Sequence, residues 1–128
     1  MKRLNNHSQL NRSCFFIEKP CDDHLQYLYK HAEALLFLSY GEGFGLPLIE
    51  AASYGLPIVC SDIPVFNEVA GAFATYIKLG APDYVAAQLE KWWRKNQLDP
   101  GPSTLKMPCL NWEESTKGLL SKLSLMGK

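Results

Sequence analysis

Two glutamates in this chain have the spacing and the setting of a ligand-binding site. Glu42 lies in the segment Ser39–Gly45, here called the glycine loop, and Glu50 follows eight positions later in the run S-Y-G-E-G-F-G-L-P-L-I-E. A carboxylate accepts two hydrogen bonds, so it suits the vicinal hydroxyls of a ribose or a hexose. Glycines let the backbone pass close to a ligand, and the first amides of a following helix attract an anion. The run therefore predicts a site for a molecule that combines sugar hydroxyls with phosphate.

Each feature also has a simpler interpretation. Glycine-rich turns serve ordinary strand-to-helix connections, and a glutamate at position 50 is compatible with a solvated helix surface. The neighbours of Glu50 are all apolar or small: Leu48, Ile49, Ala51 and Ala52. We expect such a helix to be largely enclosed, where an unpaired carboxylate would be costly. This expectation favours a binding role for Glu50.

Short apolar runs alternate with helical stripes along the chain, which is typical of a parallel sheet covered on both faces. The predicted strands are Cys14–Ile17, Ala34–Leu38, Ile58–Cys60 and Phe73–Ile77. The predicted helices cover about 22–32, 46–54, 65–70, 82–98 and 112–125. In an open sheet of this kind, ligands bind beyond the carboxyl ends of the strands, and the glycine loop follows the second predicted strand. The pattern predicts an α/β domain with its site at that end.

Local signals set the ends of the predicted helices. Asp22 and Asp23 are candidate N-caps for the first helix. Its apolar stripe consists of Leu25, Leu28, Tyr29 and Ala32, and that of the fourth helix of Val85, Leu89, Trp92 and Trp93. Pro47 suits the first turn of the second helix, and Gly55 suits its C-terminal cap.

Length and composition limit the class of protein. The 128 residues are enough for one hydrophobic core, and the 13 basic and 13 acidic side chains cancel, so charge gives no support for nucleic-acid binding. No apolar run approaches the ~20 residues of a membrane span. The polar residues 1–13 lack the apolar stretch of a secretory signal peptide. The four cysteines show no metal-binding spacing, so we expect reduced, partly buried thiols and a cytoplasmic protein.

The E-G-F-G-L-P-L-I-E segment, with seven residues between Glu42 and Glu50, resembles the E-x(7)-E motif of retaining GT-B glycosyltransferases of family 4, the group 1 family. The segment E-A-A-S-Y-G-L-P-I-V-C-S-D-I-P that starts at Glu50 resembles the family's next motif. Glu68–Gly71 is similar to its E-x-x-G, and Asn111–Glu113 to the F-S-W-E that opens its last helix. The resemblance covers about residues 15 to 125. It implies a partial Rossmann-like, doubly wound parallel sheet, the C-terminal half of a GT-B fold.

The resemblance also implies roles for particular residues. Glu42 would contact the donor sugar near its anomeric carbon, as the catalytic residue, and Glu50 would bind the ribose hydroxyls of the nucleotide. The backbone amides of the turn would hold sugar and phosphate; this turn consists of Gly43, Phe44, Gly45 and Leu46. The base would lie near Ile17, Glu18 and Lys19. No metal and no other cofactor is expected, because amides and basic groups stabilise the departing diphosphate.

The chain departs from the family at a few positions. Glu18 stands where the family usually has glycine, and Leu38 where it has proline, so the nucleotide base stays undetermined. The family's diphosphate-binding Arg and Lys come from strands upstream of the matched segment, and Lys2, Arg3 and Arg12 do not form such a motif. The resemblance makes Cys14–Ile17 the third strand in the order 3-2-1-4-5-6.

Other side chains that invite a functional reading are better explained as structural. The histidines His7, His24 and His31 adjoin no candidate nucleophile, and we expect the latter two on the exposed side of the first helix. One of Trp92 and Trp93 is expected to pack in the core rather than to stack on a sugar. The basic residues Lys91, Arg94 and Lys95 are expected on a solvated helix face.

Residues 1–13 are thus predicted to be a polar tail, and residues 14–128 a partial nucleotide-sugar-binding domain of GT-B type. The leading hypothesis is a transferase fragment that moves a hexose from a nucleotide-diphosphate sugar to a glycan or lipid-linked acceptor with retention of configuration. A non-catalytic nucleotide-sugar-binding module that needs a partner chain or a separate N-terminal domain is the second hypothesis, and a sugar-nucleotide epimerase the third. The expected location is the cytoplasm, including the inner face of the membrane.

Overall fold

The fold is an α/β layer structure built on three parallel strands. The computed structural model describes residues 8–9, 12–109 and 112–126. The strands are β1 (Leu35–Phe37), β2 (Ile58–Ser61) and β3 (Ala74–Ile77), in the spatial order β1-β2-β3. Both pairings are parallel, with Leu36 opposite Val59 and Val59 opposite Thr75. This confirms the predicted fold class.

In the described residues, five α-helices connect and flank the strands. They are α1 (Asp22–His31), α2 (Leu46–Ser53), α3 (Pro64–Ala70), α4 (Pro82–Leu98) and α5 (Trp112–Met126). Short 3₁₀ turns occupy Gly71–Phe73 and Thr104–Lys106. Pro47 lies in the first turn of α2, and Gly55 follows that helix with a φ of 72°, as the sequence predicted. None of the helices in the described part of the chain is both long and apolar enough to cross a bilayer.

The core lies between one face of the sheet and the helices α2 and α3. Ile58 and Cys60 of β2 both lie on this face. They share it because every second side chain of a strand points to the same side. Their buried partners are Leu48, Ala51, Ala52, Leu56, Phe66, Ala70 and Met107. Thr104, also buried, donates its hydroxyl to the carbonyl of Leu56 at 3.1 Å and so fixes the segment after α4 to the core.

The opposite face of the sheet is only partly covered. Leu36 of β1 is 50% exposed, and none of the side chains of α4 is buried. An apolar groove, here called the open groove, runs along this face; it is lined by Ala34, Leu36, Val59, Leu89, Glu90, Trp92 and Trp93. Trp92 is partly buried and Trp93 is exposed, so α4 packs on β3 with only part of its apolar stripe covered. In the described residues, β1 has a neighbour on one side only.

One predicted strand is wrong. Cys14–Ile17 was expected to join the sheet, but residues 15–17 have no regular secondary structure and their side chains are exposed. A strand needs a hydrogen-bonded neighbour. The resemblance places two strands between this segment and β1, and the described residues contain neither of them. The apolar composition of Cys14–Ile17 therefore has no sheet to join here.

Two smaller expectations need correction. Cys21, not Asp22 or Asp23, is the N-cap of α1; the two aspartates occupy the first turn, where they still favour the helix dipole. The thiols were expected to be partly buried, but of the four free cysteines only Cys60 is buried. The others precede or follow the packed elements, where nothing covers them. The predicted tail, residues 1–13, lies largely outside the described residues, and so does His7.

Candidate functional site

The glycine loop lies at the carboxyl end of the sheet. It leads from the end of β1 at Phe37 to the start of α2 at Leu46. The turn after β2, which begins at Asp62, leaves the same end of the sheet because the strands are parallel. Ligands bind at this end in open α/β sheets. The structure therefore places the predicted residues of the loop where the fold would accept a ligand.

Gly45 is required by the protein itself. It is the N-cap of α2 with φ 86° and ψ 44°, a left-handed conformation that favours glycine. A Cβ at this position would also lie 2.9 Å from Cε1 of Phe66. A Cβ at Gly41 or Gly43, by contrast, would meet no atom within 4 Å. Packing among the described residues thus explains why position 45 needs a glycine. It does not explain the glycines at positions 41 and 43, which have open space beside them.

The start of α2 presents unpaired amides. Within the described part of the chain, the N–H groups of Gly43, Phe44, Gly45 and Leu46 donate no hydrogen bond. Pro47 has no N–H, and the first amide that is bonded is that of Leu48, to the carbonyl of Gly45 at 3.0 Å. These free donors lie at the positive end of the helix dipole. The arrangement can hold a phosphate or another anion.

Glu42 is exposed and is tied to the base of the loop. Its Oε1 accepts a hydrogen bond from the hydroxyl of Ser39 at 2.7 Å. The other carboxylate oxygen accepts none among the described residues. One bond of this kind limits the conformations of an exposed side chain and leaves its second oxygen available for a sugar hydroxyl.

Glu50 is exposed, contrary to the expectation that its helix is largely enclosed. Only one side of α2 is buried, the side that carries Leu48, Ala51 and Ala52. Glu50 faces α1 instead, where its Oε2 accepts a hydrogen bond from the hydroxyl of Tyr29 at 2.8 Å. Burial and this bond to the carboxylate raise the pKa of the Tyr29 phenol above its ordinary value, so the phenol keeps its proton. The carboxylate therefore has a fixed donor on one side and solvent on the other.

The segment predicted to border the base precedes α1. Ile17, Glu18 and Lys19 are all exposed. They lie just before the start of α1, the helix whose Tyr29 bonds to Glu50. Lys19 has a φ of 54°, a left-handed conformation that is uncommon for a residue with a side chain. The role of these three residues stays a prediction.

A cavity of about 550 Å³ lies at the other end of the sheet and is here called the amino-end cavity. Ile58 and Ala74, which begin β2 and β3, line it together with Trp92, Lys95 and Asp99 of the α4 region. No member of the E-x(7)-E segment reaches it. Lys91, Arg94 and Lys95 are exposed as expected, and Arg94 pairs with Glu90 at 2.7 Å. His24 and His31 are exposed on α1.

Sequence reasoning missed the contact between Tyr29 and Glu50. Tyr29 was assigned to an apolar stripe, and the two residues are 21 positions apart, so no local pattern links them. It also missed Ser61, whose buried hydroxyl has no hydrogen-bond partner among the described residues. No group of three His, Cys, Asp or Glu side chains that could hold a metal ion occurs in the ranges the structure describes.

Comparison with known proteins identifies the family of this site. The family model described as "Glycosyl transferases group 1" matches residues 1–100. A serotype-specific mannosyltransferase, WbdA of Escherichia coli, is 39% identical over 125 residues, which are 98% of this chain and 15% of that protein. The O-antigen chain mannosyltransferase B of Escherichia coli is 31% identical over 110 residues, 82% of this chain and 28% of that protein. No solved structure matches the chain.

The parallel sheet, with the glycine loop at its carboxyl end, defines the class as an α/β domain. The family match makes this specific: the chain belongs to the group 1 glycosyltransferases. A third relative, the O-antigen chain mannosyltransferase RfbU of Salmonella typhimurium, is 41% identical over 69 residues, 54% of this chain and 20% of that protein. The chain thus spans less than a third of the length of each of these relatives. The family match does not support the epimerase hypothesis.

Proposed function

We propose that this chain forms the donor-binding side of a retaining mannosyltransferase that acts in polysaccharide assembly. The donor is a nucleotide-diphosphate mannose, and the acceptor is a glycan or a lipid-linked glycan. The names of WbdA, O-antigen chain mannosyltransferase B and RfbU support the choice of mannose. The observation that carries the proposal is the segment from the glycine loop into α2, which has the carboxylates of Glu42 and Glu50 and four free amides at the carboxyl end of the sheet.

In this proposal each part of the site binds one part of the donor. Glu42 contacts the hydroxyls of the mannose near its anomeric carbon. The amides of residues 43–46 hold the diphosphate, whose negative charge grows as the glycosidic bond breaks. Glu50 accepts hydrogen bonds from the ribose hydroxyls, and residues 17–19 border the base. No metal ion is assigned, because the amides and the helix dipole already face the leaving group.

A second candidate is a non-catalytic nucleotide-sugar-binding module that acts only with a partner polypeptide. The unpaired outer side of β1 and the open groove favour it, since parallel sheets are normally covered on both faces. The partner would add strands beside β1 and supply the basic groups that the diphosphate needs. It would also carry the acceptor site. The cytoplasm, including the inner face of the membrane, is the proposed location in either case.

Calorimetric titration of ADP-mannose, GDP-mannose and UDP-mannose into the full chain tests donor binding. We expect one of the three to bind with a stoichiometry of one. Glu50→Ala should weaken binding roughly tenfold or more, because the charged hydrogen bonds to the ribose hydroxyls are lost. Glu33→Ala is the matched control: Glu33 is an exposed glutamate between α1 and β1, at the amino end of the sheet, and its removal should change nothing.

The same titrations separate the candidates. If none of the three donors binds the wild-type chain, both the transferase and the module are contradicted. If a donor binds but the chain neither transfers nor hydrolyses mannose, autonomous catalysis is excluded and the module is supported.

A further inference from the structure

We propose that Tyr29 is a positioning residue that holds Glu50 in the orientation needed to bind the ribose hydroxyls of the nucleotide. The inference rests on the proposed function, in which Glu50 contacts the ribose. Its starting point is the hydrogen bond from the Tyr29 hydroxyl to Oε2 of Glu50, 2.8 Å long. This bond connects α1 to α2, two helices that precede and follow the glycine loop.

Tyr29 is itself held in place. Its side chain is partly buried and packs against the core cluster. Its ring stacks on that of Tyr54, with 5.7 Å between the centroids and 13° between the planes. The ammonium of Lys30 lies 5.9 Å from the centre of the Tyr54 ring on the same surface. A tyrosine that is packed on both sides has few conformations, so its hydroxyl is a donor at a fixed position.

Glu50 needs such a donor because its own helix does not restrain it. The side chain is exposed, and an exposed glutamate samples several rotamers. The bond to Tyr29 occupies one position on Oε2, while Oε1 accepts no hydrogen bond from the described residues. A carboxylate has about four acceptor positions, so two vicinal hydroxyls still find acceptors.

The phenol is suited to this role at neutral pH. Burial, together with the hydrogen bond to the negative carboxylate of Glu50, raises the pKa of Tyr29, which keeps the phenol a donor over the whole physiological range. The Glu50 side chain then loses its conformational entropy during folding, so that nucleotide binding does not carry this cost. Preorganisation of this kind increases affinity without a direct contact to the ligand.

The test compares ribonucleotides with nucleotides that lack both ribose hydroxyls. ADP, GDP and UDP and their 2′,3′-dideoxy analogues are titrated into the wild-type chain and into Tyr29→Phe, which keeps the ring and its stacking but removes the hydroxyl. We expect Tyr29→Phe to lower the affinity for the ribonucleotide roughly three- to tenfold and to leave the affinity for the dideoxy analogue unchanged. Tyr54→Phe is the matched control, since the Tyr54 hydroxyl makes no hydrogen bond to Glu50 among the described residues, and it should behave as wild type.

A double-mutant cycle gives a second readout. In a Glu50→Gln background, where the charged acceptor is gone, Tyr29→Phe should cause less than a twofold further change in ribonucleotide affinity. Circular dichroism of each variant verifies that it is folded. A full additional loss in that background would overturn the inference.

Failure of the inference and failure of the proposed function give different results. If wild type prefers the ribonucleotide but Tyr29→Phe binds it equally well, the positioning role is contradicted and the proposed function stands. If Tyr29→Phe weakens ribonucleotide and dideoxy analogue alike, Tyr29 has only a structural role, and the inference is again overturned. If wild type shows no preference for the ribonucleotide, the ribose-binding role of Glu50 fails, and the inference fails with it.

Discussion

The two ends of the sheet differ in a way that separates shape from chemistry. The amino end has a cavity of about 550 Å³, whereas the carboxyl end has the glycine loop and the start of α2, with two carboxylates and four free amides. The amino-end cavity is lined by residues that lead into β2 and β3, by residues of α4 and by the segment after α4. The glycine loop leads out of a strand into a helix, so its free amides lie at the positive end of the helix dipole. In the proposed function, unpaired polar groups and not volume therefore mark the ligand-binding end of this fold.

The largest expected effect is on the packing that supports the carboxyl end. Phe66 is fully buried, touches the ring of Phe37 at 5.4 Å between centroids, and lies against Gly45. Phe66→Ala should lower the free energy of unfolding by about 3–5 kcal/mol. Phe73→Ala, at the amino end, should cost only about 1–2 kcal/mol because that ring is partly exposed. Urea unfolding measures both; equal losses would contradict the difference between the two ends.

A smaller effect is expected inside the loop. Gly45→Ala forces a side chain into a left-handed conformation and against Phe66, and should destabilise the chain by about 1–3 kcal/mol. Gly43→Ala is the control, with an expected change within about 0.5 kcal/mol, since open space surrounds that position. In the proposed function the diphosphate lies against the amides of residues 43–46, so Gly43→Ala should also weaken donor binding. Thermal unfolding and calorimetry check the two expectations, and a stability loss at Gly43 as large as that at Gly45 would be inconsistent with the structure.

The smallest effect concerns a link between the two ends. The Tyr76 hydroxyl donates to the carbonyl of Gly71 at 2.7 Å, and burial, with smaller contributions from Cys60 and Asp62, raises its pKa to about 12. The unfolded chain has a tyrosine pKa of about 10, so the neutral phenol stabilises the fold fully below pH 10 and loses this effect as pH rises toward 12. Tyr76→Phe should therefore cost about 1 kcal/mol at neutral pH and flatten the decline of stability between pH 10 and 12. Unfolding curves across that range test it, and an unchanged slope would count against the assignment.

The sequence predicted the elements that depend on local patterns. Within the described ranges, the hydrophobic period predicted the three strands of the sheet and the five helices, and local backbone requirements predicted the positions of Pro47 and Gly55. The strand at Cys14–Ile17 failed because a strand depends on a neighbour, which the local pattern does not contain. The hydrogen bond between Tyr29 and Glu50 depends on how α1 and α2 pack against each other. The exposure of Glu50 depends on which side of α2 packs against the core. Local sequence carries neither piece of information.

Amide chemical-shift mapping tests the central claim most directly. The isotopically labelled chain is titrated with ADP-mannose, GDP-mannose and UDP-mannose in separate series. The account predicts that at least one of them shifts the amides of residues 43–46 more than those of Gly55, Thr75 and Asn96, which line the amino-end cavity. Largest shifts at that cavity, with the amides of residues 43–46 unchanged, would contradict the account.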